Sequence, residues 1–134
     1  HCPYYVQSID VESRTARTIT NATHAVAYDG TLYLCYSATD WTTYETVNTF
    51  FTYDVATATL SNQSFLKGDT VEIATNSVYM MEVNPKNGEL YIGLAGNKFV
   101  SSGVIHRFEK DGTPIHRFDV QGPNPNQAAF VNYQ

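Results

Sequence analysis

Charge is scarce in this chain. Only 16% of its 134 residues are Asp, Glu, Lys or Arg, and eight scattered Lys and Arg leave a formal net charge of −5. A nucleic-acid binder needs clustered cations for phosphates, so no nucleic-acid partner is expected. Cysteine is nearly absent: Cys2 and Cys35 match no metal spacing. Cys35 continues an apolar strand and is expected as a buried thiol, while nothing in the spacing argues a bridge to Cys2. Apolar runs are short, far below the ~18 residues of a spanning helix, so no membrane span is expected. There is one tryptophan. Also missing are Gly-x-Ser-x-Gly, His-Glu-x-x-His and a Gly-rich phosphate loop. No segment carries a convincing 3.6-residue apolar period, so almost no helix is expected, with Val71–Asn76 read as a short turn of helix or a loop.

What the chain does have is ten tyrosines, seven phenylalanines and many Thr and Val, a composition that favours strands. It also repeats itself. Leu32-Tyr33-Leu34 returns as Leu90-Tyr91-Ile92, and Ile9-Asp10, Tyr53-Asp54 and Phe108-Glu109 close comparable apolar runs. His24-Ala25-Val26-Ala27 has counterparts at Val78–Met81 and Ala128–Val131. These recurrences lie roughly 45–55 residues apart, near the ~40–50 residues of a β-propeller blade. Each blade is a four-stranded antiparallel meander that cannot bury both faces alone.

Turn residues give the register. Asp29-Gly30 predicts a two-residue hairpin of type I′ geometry. Asn84-Pro85-Lys86-Asn87-Gly88 and Asp111-Gly112 predict two more. The reading is all-β, a single domain over residues 1–134. Two strands of a first blade cover Tyr4–Val11 and Arg14–Thr20. One full blade runs through His24–Tyr28, Leu32–Ser37, Thr49–Val55 and Thr59–Leu66. A second runs through Ser77–Val83, Glu89–Leu94, Gly103–Glu109 and Pro114–Val120. A last strand, Gln127–Asn132, would open a further blade. About two full blades plus partial ones make a slice of a larger ring. The chain opens directly in the strand-like Pro3–Val6, which predicts a fragment or C-terminal portion of a larger propeller. Uncovered blade faces invite association, with the rest of that propeller or with other proteins.

The stretch from Tyr79 to Gly93, the stretch from Asn97 to Gly112 and the ending from Gly122 to Val131 resemble the C-terminal β-propeller domain of secreted Bacteroidetes lipoproteins. The similarity covers the chain from Val78 onward well and the first half loosely. It implies a seven-bladed type of ring, and a periplasmic or outer-membrane surface location. It also implies work beside a TonB-dependent outer-membrane transporter. Related surface propellers bind vitamin B12, so the resemblance implies nutrient capture without naming the ligand.

Candidate chemistry is sparse. His106-Arg107-Phe108 and His116-Arg117-Phe118 are one tripeptide twice. A metal pair is one reading. Cross-strand packing, with the arginines on carboxylates such as Glu109 and Asp119, is the favoured one. Asp10, Asp54 and Glu109 sit at equivalent strand ends and are expected to support turns rather than catalysis. Asn21-Ala22-Thr23 and Asn62-Gln63-Ser64 match the glycosylation pattern, as chance allows in a chain this rich in Asn and Thr. The segment Ala38–Val47 differs. It reads as a long polar loop holding the lone Trp, and loops carry function more often than sheets do. In a propeller it would share one rim with Gly96–Ser102 and with the connections near Asn21–Thr23, Ala74–Asn76 and Pro123–Asn126. Trp41, Tyr44 and Phe99 would stack on a ligand, and Asp40, Asn76, Asn97, Lys98 and Asn124 would hydrogen-bond it. A corrinoid, a glycan or a peptide fits such a mixture. The expected role is therefore non-catalytic ligand binding outside the cytoplasm, with no cofactor and no metal. Alternatives are a structural protein-interaction module and a propeller hydrolase of the lactonase type.

Overall fold

The computed structural model describes residues 5–10, 15–68, 71–95 and 103–120. Among these residues, ten strands and one short helix follow in order: β1 Tyr5–Asp10, β2 Thr15–Asn21, β3 His24–Tyr28, β4 Thr31–Asp40, β5 Glu45–Asp54, β6 Thr59–Ser61, α1 Val71–Thr75, β7 Val78–Val83, β8 Leu90–Leu94, β9 Val104–Phe108 and β10 Pro114–Asp119. β1 and β2 pair as a two-stranded sheet, while β3-β4-β5-β6 and β7-β8-β9-β10 are four-stranded antiparallel meanders. The expectation of an all-β chain with blade-like meanders is met at this level. The expected last strand, Gln127–Asn132, lies outside the described residues.

Turn chemistry explains the meanders. Asp29 and Gly30 both take positive φ (48° and 77°), as a type I′ hairpin requires. Asp54 Oδ1 accepts the Thr57 amide at 3.0 Å, which gives this strand-end carboxylate the turn role expected of it. Gly88 (φ 76°) closes the turn after Pro85, and Gly112 (φ 90°) closes the β9–β10 turn.

The repeated tripeptides hold the same place in each meander. Leu32 faces Tyr53 across β4 and β5, and Leu90 faces Phe108 across β8 and β9. Strand alternation puts Leu32 and Leu34 on one face with Phe51 and Tyr53; these cluster with Ala22 and with Val6 of β1. The opposite face of that sheet carries Cys35, Phe50, Val26 and Tyr33. It packs on Leu90, Ile92, Leu94 and Phe108 of the next meander, sealed by Leu66, Phe65, Ile73, Val78 and Met81. So each Leu-Tyr-Leu/Ile face covers the preceding sheet, twice in the same sense.

Two strand boundaries depart from expectation. Ala38–Val47 is mostly not a loop, because β4 runs on to Asp40 and β5 starts at Glu45. Conversely, the strand expected over Thr59–Leu66 stops at Ser61. Ser61 Oγ accepts the Gln63 amide and Ser64 Oγ accepts the Leu66 amide, bending the chain off the sheet edge. The chain then docks on the next meander, where Lys67 N–H donates to the Gly112 carbonyl at 2.9 Å.

Candidate functional site

The extended β4–β5 hairpin forms an arm. Its ten paired positions run from Thr31 opposite Asp54 to Asp40 opposite Glu45. At the tip, Tyr44 N–H donates to the Asp40 carbonyl at 2.6 Å, and Tyr44 adopts positive φ (60°). Asp40 Oδ1 accepts the Thr42 amide at 2.8 Å and the Thr43 amide at 3.4 Å. Asp40 therefore builds the turn. Its Oδ1 is engaged by these backbone amides.

The tight turn presents two aromatics. Trp41 is 61% exposed and Tyr44 50%, with rings edge to face at a centroid distance of 6.3 Å. Tyr36, Ala38 and Val47 lie on one exposed face of the arm, Ala38 directly opposite Val47. The other face is anchored. Thr39, Thr46 and Ser77 hydroxyls close a triangle with sides of 2.9, 3.2 and 3.0 Å. Below them, Asn48 Nδ2 donates to the carbonyls of Ile73 (2.6 Å) and Asn76 (2.5 Å) in and just after α1. Asn76 thus sits beside the base of the arm, through its main chain. Its neighbour Ser77 meets Thr46, two residues along the chain from Tyr44. Asn97, Lys98, Phe99 and Asn124 lie outside the described residues.

The two His-Arg-Phe triplets end up differently from one another. Arg117 is opposite His106 and His116 is opposite Arg107, so the triplets show opposite faces and the two histidines do not form a pair. Each His stacks on its own Phe, at 6.1 Å for His106–Phe108 and 5.7 Å for His116–Phe118. Arg107 takes a different carboxylate from the expected Glu109, while Arg117 keeps the expected Asp119 and adds another. Arg107 reaches Glu89 through Nε (3.0 Å) and Nη2 (2.8 Å), lying 6.0 Å from the Tyr91 ring centroid. Arg117 makes two 2.8 Å bonds to Glu72 of α1, with Asp119 a looser partner at 3.5 Å. His106 Nε2 also meets Glu72, at 3.0 Å.

Glu72 was not singled out by sequence, because no motif marks one carboxylate on a five-residue helix. Its bonds from Arg117 hold its carboxyl below the usual range, with His106 adding to the effect. Burial holds His106 below its ordinary value despite the Glu72 carboxylate. Burial likewise lowers His24 and pushes the Cys35 thiol up to about 12. Cys35 is a buried, free thiol. This set clamps α1 to the second meander, while Asn48 clamps it to the first.

Among the described residues, no group of three or more His, Cys, Asp or Glu is placed to hold a metal ion, and no helix is long and apolar enough to cross a membrane. A cleft of about 230 Å³ opens beside β5, lined by Asn48, Thr49, Phe50, Asn62, Ser64 and Ala74. No family model matches this chain, and no curated protein matches it.

Proposed function

We propose that this chain is a non-catalytic binding module, a slice of a larger propeller working outside the cytoplasm. It uses the aromatic tip of the β4–β5 arm to capture a polar organic ligand with flat apolar faces. The observation that carries this reading is the arm itself. Ten residues per strand are more than a blade needs, and the extra length ends in an exposed Trp–Tyr pair on a rigid turn. Rigid aromatics with two χ angles give large contact area at low entropic cost. Support for the ring comes from the stacking sense, since each repeated Leu-Tyr-Leu/Ile face covers the sheet before it. Blades around an axis stack in this way. A corrinoid is the first ligand to try and a glycan the second. Delivery to a TonB-dependent transporter at the outer membrane is the setting implied by the resemblance to Bacteroidetes surface propellers.

Trp41 is the sole tryptophan, so its fluorescence reports the tip alone. Titration with cobalamin and with oligosaccharides should quench or shift this emission, and Trp41→Ala should weaken binding at least tenfold, about 1.4 kcal/mol. Silent emission with every ligand would end the capture reading. A protein-docking role is the second reading. It is favoured by Val47, 65% exposed, together with Tyr36 on the same face of the arm, since aromatics concentrate at interface hot spots.

A further inference from the structure

The sign of the charge around the arm narrows what its tip can hold. Arg17 and Lys67 are consecutive basic residues in the sequence, so the whole first meander is built without Lys or Arg. It carries four carboxylates, Asp29, Asp40, Glu45 and Asp54. In the second meander Glu89 pairs with Arg107, Asp119 with Arg117, and Asp111 with the preceding Lys67. Among the described residues, no ion pair reaches a carboxylate of the first meander.

Two of the four stand at the tip. Asp40 lies directly opposite Glu45 across the last pair of the hairpin, and both are exposed. Residues so placed have Cβ atoms roughly 4.5–5.5 Å apart, and like charges there repel. The turn maintains this arrangement: Asp40 Oδ1 accepts the Thr42 and Thr43 amides, and the Glu45 amide donates to the Thr43 hydroxyl at 3.3 Å. The repulsion is therefore built into the turn, and a positive group beside the two carboxylates relieves it.

The aromatics next to them favour the same charge. Trp41 follows Asp40, Tyr44 precedes Glu45, and their exposed rings stand at 89° to one another. A ring face is electrically negative, so a cation within about 6 Å of the centroid is attracted, to Trp most strongly. In an edge-to-face pair, the ring that offers its edge keeps both faces clear of the other ring. A neutral ligand would gain nothing from the two acids, and an anion would be repelled by both. A substituted ammonium gains from all four side chains, because it spreads its charge over methyl or methylene groups that lie flat on a ring face.

We propose that the ligand captured at the tip carries a substituted ammonium group, seated on the Trp41 and Tyr44 rings with Asp40 and Glu45 alongside. This rests on the capture reading of the arm and adds the sign and chemical class of the group bound.

The test titrates the full chain with choline and with 3,3-dimethylbutan-1-ol, which has the same shape without the charge. Emission of Trp41, the sole tryptophan, reports both. Choline should quench or shift it at millimolar concentration, and the neutral alcohol should need at least about fivefold more. Raising sodium chloride from about 20 to about 500 mM should weaken choline alone, since exposed charges are screened. Asp40→Asn combined with Glu45→Gln removes both charges, while the new amide keeps the Oδ1 acceptor that builds the turn. With its circular dichroism unchanged, this double variant should bind choline no better than the alcohol. Equal responses to choline and the alcohol would overturn the inference, as would a double variant that binds choline like the parent. Emission moved by cobalamin or oligosaccharides but not by choline would also overturn it, and would leave the capture reading standing. Emission silent to every compound would end both.

Discussion

The two meanders share a plan and differ in what surrounds it. Inside, Leu32 opposite Tyr53 and Leu90 opposite Phe108 do the same job of covering the preceding sheet. Outside, the first meander has ten-residue central strands and a three-residue last strand, whereas the second has five-residue central strands and a six-residue last strand. The first leans on α1 and the residues just after it through neutral groups, Asn48 to the carbonyls of Ile73 and Asn76, and the Thr39 and Thr46 hydroxyls to Ser77. The second leans on α1 through charged ones, Glu72 with His106 and Arg117. The shared positions are those that stability requires of each meander. The arm and the cleft are elaborations of the first meander only, which is why the candidate sites lie there.

If that division holds, damage to the shared interior should hurt most. Phe108→Ala, at a nearly fully buried position, should cost about 3–5 kcal/mol in denaturant unfolding. A loss below 1 kcal/mol would mean that the second meander does not cover the first. Next comes the junction. Gly112 takes positive φ, and a Cβ there would run into the Phe65 carbonyl. Gly112→Ala should therefore destabilise by about 3 kcal/mol, with calorimetry showing a lowered Tm.

A smaller effect sharpens the contrast in polarity. Burial keeps His106 and His24 below their ordinary value of 6.5. Between that value and the lower folded value, the unfolded chain binds more protons, so stability rises with pH there. The contribution is complete above 6.5 and disappears as pH falls through the folded value. A second loss follows below 4.5, where Glu72, held low by Arg117 and His106, becomes protonated. Tm measured against pH should drop on this schedule, and His106→Gln should flatten the first step. An unchanged profile would remove His106 from the clamp. The Cys35 thiol, pushed up to about 12 by burial, should resist alkylation until the sheets separate. Fast labelling of the folded chain would show the interface between meanders to be open. Smallest of all, Trp41→Ala should change stability by no more than about 0.5 kcal/mol while removing ligand binding at the tip. A large loss of stability there would make the arm structural.

Much of the fold was legible beforehand, for local reasons. Asp29-Gly30 permits two positive φ angles in a row, so it announces its hairpin from neighbouring residues alone. Apolar alternation around Leu32 and Leu90 names the core faces in the same way. The arm reads as a loop from sequence because Ala38–Val47 is polar and rich in Thr, of which Thr39 and Thr46 lie at its base. Both threonines bond Ser77, a partner supplied by a distant segment. β6 ends sooner than the expected Thr59–Leu66, since Asn62-Gln63-Ser64 breaks the alternation of a strand. Side-chain-to-backbone bonds and docking on Gly112 then take the chain off the sheet edge.

By itself, the sequence determined the strand order, the turns, the repeating unit and the all-β class, since these depend on φ preferences and on a period of two. Only the tertiary structure decided that the two His-Arg-Phe triplets face opposite ways, because a register is a relation between strands. Only it brought Glu72 to His106 and Arg117, drew the arm out straight, and tied Asn48 to the carbonyls of Ile73 and Asn76. Each of these depends on residues tens of positions apart meeting at hydrogen-bond distance, which no local pattern encodes.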